Sequence, residues 1–176
     1  VTSQKGPHRY GPFKEAFHHR MIFVYGTRGS KEERNWAVQK ARYDAESFWY
    51  QSNGSVDVIS DQEFDLEKTR DRSVVLYGNA HTNSAWNQLL KTSPIQVQPG
   101  AVRIGGRIFR GDDLACLFVY PRQDSETASV AVVSGSGVQG MRLTTNLPYL
   151  YAGSAFPDFS LFNSEILRTP GAGLLA

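Results

Sequence analysis

Short apolar runs that stop abruptly at glycine recur along this chain. Met21 to Tyr25 ends at Gly26-Thr27, Val74 to Tyr77 at Gly78-Asn79, and Val130 to Val133 at Ser134-Gly135-Ser136-Gly137. Continuous apolar runs of this length bounded by turn residues read as buried strands. Between the first two, Ser30 and Glu33 have the spacing of a capping box, which predicts a helix from about Lys31. Ala37, Ala41, Ala45 and Phe48 then recur at helical spacing, with Lys31, Glu32, Arg34, Lys40 and Glu46 assigned to the wet side. The helix is expected to end near Gln51, with Gly54 as its terminating glycine. Val56 to Ile59 follows as a short strand. Strand, helix, strand is a βαβ unit, which predicts parallel pairing and a right-handed crossover.

The pattern changes further on. Ser60 to Arg72 is polar, anchored by Phe64 and Leu66, and reads as a loop with one helical turn. Trp86, Leu89 and Leu90 form the buried side of a short helix from about Asn83, whose side chain can cap it. From Ile95 to Arg110 apolar residues alternate with polar ones, punctuated by Pro99-Gly100 and Gly105-Gly106. This predicts antiparallel hairpins. Leu114 to Tyr120 is apolar on both faces, as a central strand is; Pro121 to Thr127 reads as a surface loop. Beyond Gly140, a helix over 141–151 is limited by Pro148, and Phe159 to Phe162 reads as a last short strand. These elements predict a three-layer α/β domain with a mostly parallel, Rossmann- or flavodoxin-like sheet. A small antiparallel β-hairpin insertion falls at about 95–110. Residues 21–176 form a single domain, and residues 1–20 a linker or N-terminal extension.

Composition narrows the function classes. The 176 residues are 40% hydrophobic and 20% charged, with a net charge of only +2. That is one ordinary globular domain with a sizeable core. No basic face or tail points to nucleic acid, and no run approaches the roughly 20 apolar residues of a membrane span. The first residues lack the apolar core of a signal peptide. The lone Cys116 sits in an apolar run and reads as a buried core residue. The linker-like start and the apolar finish lead us to expect a piece of a longer polypeptide.

Candidate chemistry gathers at the predicted strand ends, where open parallel sheets bind ligands. Gly26, Thr27, Gly78, Asn79, Ser134, Gly135, Ser136 and Gly137 are the candidate ligand-binding residues there. Gly135, Gly137 and Gly140 fit G-x-G-x-x-G, but no acidic residue ends a strand about 20 positions later, as a dinucleotide site needs; Asp158 precedes its strand. Ser136 and His81 share the predicted edge, so a nucleophile–base pair oriented by Asp112 is a possibility. Neither Ser134 nor Ser136 has the flanking glycines of G-x-S-x-G. Asp112-Asp113 reads as a polar entry to the following strand. His18-His19 has no further ligand at metal spacing, so neither metal nor cofactor is expected. Trp36, Trp49 and Trp86 lie on helix patterns and read as core or interface packing; a carbohydrate platform would need two of them exposed on one face.

The blocks GPFKEAF, MIFVYGT, VVLYGNAHTNSAWNQLL, GDDLACLFVYPR and VAVVSGSGVQGMRLTTNLPYL resemble the C-terminal region of large bacterial prolyl-oligopeptidase-family, α/β-hydrolase-like serine peptidases or esterases. The resemblance runs from Gly11 onward. It implies that the nucleophile lies upstream and that no residue here is catalytic. It also implies a secreted or periplasmic parent. The expected role is an accessory, non-catalytic domain whose partner is the hydrolase domain of the same chain, or a second copy of itself. The alternative is an independent small-molecule, anion-binding or hydrolytic domain using the edge around Thr27, Asn79, His81 and Ser136.

Overall fold

A computed structural model describes residues 11–17, 20–52, 54–151, 156–169 and 172–176. The His18-His19 pair lies outside the described residues. One mixed sheet of six strands organises the chain: β1 (Met21–Tyr25), β2 (Asp57–Ser60), β3 (Ser73–Tyr77), β7 (Ala115–Pro121), β8 (Ser129–Gly135) and β9 (Phe159–Phe162), in the order β2-β1-β3-β8-β7-β9. The first four in that order are parallel, as the βαβ pattern predicted. β7 runs antiparallel to both β8 and β9. The sheet is therefore α/β-like but mixed, rather than an uninterrupted parallel one. The connection from Arg122 to Ala128 carries no helix, and a connection that short can join only antiparallel neighbours.

The apolar runs are continuous because both faces of the sheet are covered. Phe23, Val75, Tyr77, Leu117, Ala131 and Val133 face one core; Ile22, Val24, Val74, Leu76, Phe118 and Val132 face the other. Helix α1 (Lys31–Ser52) and helix α3 (Val138–Leu143) pack on the first face. The 3-10 turn Phe13–Phe17 joins them, with Phe13 and Phe17 buried in that core, so the packed unit reaches upstream of Met21. The second face is covered by the single turn α2 (Trp86–Leu89), by Phe64 and by a separate antiparallel sheet. That sheet has three strands, β4 (Ile95–Gln98), β5 (Ala101–Ile104) and β6 (Arg107–Arg110). The alternating stretch is thus a small sheet laid against the main one.

Local signals explain several boundaries. Glu33 N–H donates to Ser30 Oγ at 3.2 Å, and Ser30 N–H donates to the Glu33 carboxylate at 2.7 Å. The capping box forms as predicted and starts α1. A Cβ on Gly54 would lie 2.8 Å from the Phe48 ring, so this glycine makes room for that ring. Helix α3 is shorter than the expected 141–151. Leu147, which precedes Pro148, is already extended at φ −96° and ψ 113°, as a residue before proline prefers. The helical turn near Asn83 forms three residues later, and Asn83 Oδ1 accepts the Ala85 N–H just before it.

Two buried charges depart from the expected pattern. Lys40 is buried beside Asp44 and the Tyr149 ring, not on the wet side of α1. Arg122, in the expected surface loop, is wholly buried; its guanidinium donates to the carbonyls of Leu66, Thr69 and Arg72 and pairs with Asp124. It fastens the polar 60–72 loop to the end of the sheet opposite the glycine exits.

Candidate functional site

The parallel register aligns the carboxyl ends of the strands. Tyr25 stands beside Ser60 and Tyr77, and Tyr77 beside Val133, so Gly26, Asp61, Gly78 and Ser134 emerge along one edge. That edge is filled by the protein itself. A Cβ on Gly26 would lie 2.4 Å from the Thr82 carbonyl oxygen, and one on Gly135 would lie 2.3 Å from the Met141 nitrogen. Cβ atoms at Gly137 and Gly140 would meet the carbonyls of Asp112 and Leu114 at 2.8 and 2.1 Å. The missing side chains admit neighbouring backbone. Gly78 in addition needs its positive φ of 122°.

Asparagines seal the crevice between β1, β3 and β8. Asn83 Nδ2 donates to the carbonyls of Val24 and Tyr77 at 3.0 and 3.1 Å. Asn79 Nδ2 donates to the Gly135 carbonyl at 3.0 Å, while its Oδ1 accepts the N–H groups of His81 and Thr82. Both asparagines are fully buried. The small sheet closes the edge from above: Ala80 N–H donates to the Val97 carbonyl and Gly100 N–H to the Ser136 carbonyl. In open α/β sheets this is where a ligand would lie.

The serine–histidine pair does not assemble. Ser136 is buried; its hydroxyl donates to the Gly111 carbonyl at 2.6 Å and accepts the Leu114 N–H at 3.2 Å. His81 is exposed, and no hydrogen bond joins the two. Ser134 is fully buried with its hydroxyl unpartnered. Asp112 is exposed, whereas the Asp113 carboxylate accepts the Ser164 N–H and hydroxyl. Those two bonds, side chain first, hold Asp113 below the usual carboxylate range.

Thr27 serves a buried carboxylate. Its N–H and hydroxyl both donate to Asp61 Oδ1, and the Ser84 N–H and hydroxyl donate to Oδ2. Four neutral donors thus satisfy Asp61, with no cation in contact among the described residues, tying the exits of β1 and β2 to the turn before α2.

The chemically most unusual cluster lies elsewhere, on the α1 face of the sheet. Lys40 Nζ donates to Asp44 Oδ1 at 2.7 Å, one turn along α1, and both side chains are buried. Asp44 Oδ2 accepts the hydroxyls of Tyr77, on β3, and Tyr149, beyond α3. Lys40 Nζ also lies 4.7 Å from the Tyr149 ring centroid. Burial pushes the Asp44 carboxyl up, against the opposing pull of Lys40 and the two phenols. Burial, and then the Asp44 charge, push both tyrosines well above their usual range. Helical spacing could have found this cluster: Lys40 and Asp44 are four apart on the stripe of Trp36, Ala37 and Ala41. Tyr77 and Tyr149 carried no comparable signal.

Trp36 and Trp86 are buried, whereas Trp49 is 54% exposed, so the tryptophans form no two-ring platform. Among the described residues, no group of three His, Cys, Asp or Glu is placed to hold a metal ion, and no helix is long and apolar enough to cross a membrane. Comparison with protein-family models and with curated proteins finds no match for this chain.

Proposed function

We propose that this is a non-catalytic α/β domain that packs on a serine peptidase or esterase domain of the same polypeptide. One observation carries the packing role: an exposed aromatic face on the last turns of α1. Trp49 and Tyr50 are 54% and 78% exposed, and their rings lie against each other with centroids 4.9 Å apart. A shallow groove of about 520 Å³ runs beside them toward Ala45 and Val56. Aromatic side chains of about 150–250 Å², with only their exposed fractions left to cover at about 25 cal/mol per Å², give on the order of 2–5 kcal/mol for each of Trp49 and Tyr50. Rings of this kind dominate protein interfaces.

The filled strand-end edge supports the non-catalytic half of the reading, since the Ser136 hydroxyl is already engaged by backbone. The order β2-β1-β3-β8 supports a Rossmann- or flavodoxin-like, three-layer descent, with β7 and β9 added as a mixed edge. The family resemblance supports the identity of the partner, and with it a secreted or periplasmic setting. The test uses ester and peptide anilide substrates, with and without the adjoining hydrolase domain. This chain alone is expected to turn over neither. When it is joined to the hydrolase domain, Trp49→Ser with Tyr50→Ser is expected to split a single unfolding transition into two. Turnover by this chain that disappears in Ser136→Ala would refute the proposal, as would a joined protein indifferent to the aromatic substitutions.

A further inference from the structure

A second surface of α1 carries an inference independent of that reading. We propose that the cavity between α1 and the 145–151 segment binds a small organic carboxylate with an aromatic or apolar body. The cavity measures about 320 Å³, in the range of small-ligand sites. A smaller one of about 170 Å³, walled by Trp36, adjoins it; Lys40, Tyr43 and Thr145 line both.

The hydrogen-bonding inventory of the buried polar side chains beside these cavities, Trp36, Lys40 and Asp44, is one-sided. The Trp36 Nε1–H is buried with no partner. The Lys40 ammonium has three N–H groups and makes one hydrogen bond, to Asp44. Both Asp44 oxygens are already taken, one by Lys40 and the other by Tyr77 and Tyr149. The unused groups are therefore donors, and a buried donor without an acceptor is destabilising. An acceptor-bearing ligand relieves this, and a carboxylate makes the strongest such bond to an ammonium. Tyr43, Leu147 and Leu150 line the larger cavity and offer aromatic and apolar walls to the rest of the ligand. The cluster keeps Lys40 in place: its aliphatic stem is buried, and its head is fixed by Asp44 and by the Tyr149 ring.

The test is a nitrogen–proton NMR titration of the folded chain with phenylacetate, using phenylacetamide as the uncharged isostere. Phenylacetate is expected to shift the Trp36 indole N–H saturably, and phenylacetamide to bind at least tenfold more weakly. Trp36→Phe, which removes the donor and leaves the Lys40–Asp44 pair intact, is expected to weaken phenylacetate about ten- to hundredfold. Lys40→Gln is expected to act in the same direction, and should that variant fail to fold, Trp36→Phe decides. No saturable shift, equal affinity for acid and amide, or undiminished affinity in Trp36→Phe would each overturn the proposal. None of these results depends on whether Trp49 and Tyr50 form an interface.

Discussion

Ser134 and Ser136 lie two residues apart at the same strand exit, are equally buried, and should respond oppositely to loss of the hydroxyl. Ser136→Ala removes the acceptor of the Leu114 N–H and the donor to the Gly111 carbonyl. Leu114 is 2% exposed, so water cannot readily replace the lost acceptor. A buried polar group left unpaired costs about 1–3 kcal/mol. Gly111 is only partly buried, and its carbonyl adds less, giving a total of about 2–3 kcal/mol. For a chain of this size each kcal/mol corresponds to about 2–4 °C in Tm, so the variant should melt about 4–12 °C lower. Ser134→Ala removes a buried hydroxyl that has no partner and should change stability by less than about 0.5 kcal/mol, with a gain favoured. Urea unfolding followed by tryptophan fluorescence, together with thermal melts by circular dichroism, measures both. A Ser136→Ala variant as stable as the parent, or a Ser134→Ala variant as damaging as Ser136→Ala, would refute the assignment of Ser136 as a structural tie.

Three further outcomes are expected. Asp44→Ala leaves the buried Lys40 ammonium uncompensated and should destabilise by about 3–5 kcal/mol, whereas Tyr149→Phe, losing one of three donors to Asp44, should destabilise by about 1–2 kcal/mol; urea midpoints check the ranking. Asp113 is held below its usual range by Ser164, so its folded pKa lies under its unfolded one. Its stabilisation is present above the unfolded pKa and is lost as the pH falls through the folded pKa. Asp113→Asn should therefore flatten the acid limb of a stability–pH profile without altering its shape near neutrality. Burial pushes the Cys116 thiol far above its usual range, so iodoacetamide should modify it only as fast as the protein opens. Rapid labelling under native conditions would contradict the burial.

Where local chemistry dictates structure, the sequence was readable. The Ser30–Glu33 box marked the start of α1, the continuous apolar runs marked strands covered on both faces, and Gly100 and Gly105 marked the turns of the small sheet. Strand direction was harder, because a run that is apolar on both faces reads the same either way; the short Arg122–Ala128 connection held the clue to β7. The glycine exits were legible as turns, but not what fills them: Thr82, Met141, Asp112 and Leu114 are distant in sequence or approach through backbone. Charge misled on Lys40 and Arg122. Lysine and arginine are seldom fully buried unless paired, and their partners Asp44, Leu66 and Thr69 become visible only when helix phase and loop path are known.

The central claim is that the strand-end edge is closed by the protein's own backbone, leaving Ser136 a structural tie. Treatment of the folded chain with an alkyl fluorophosphonate, read by intact mass and peptide mapping, tests this most directly. No adduct at Ser136 is expected under conditions that label an ordinary serine hydrolase completely. A stoichiometric adduct on Ser136 that is lost in Ser136→Ala would contradict it.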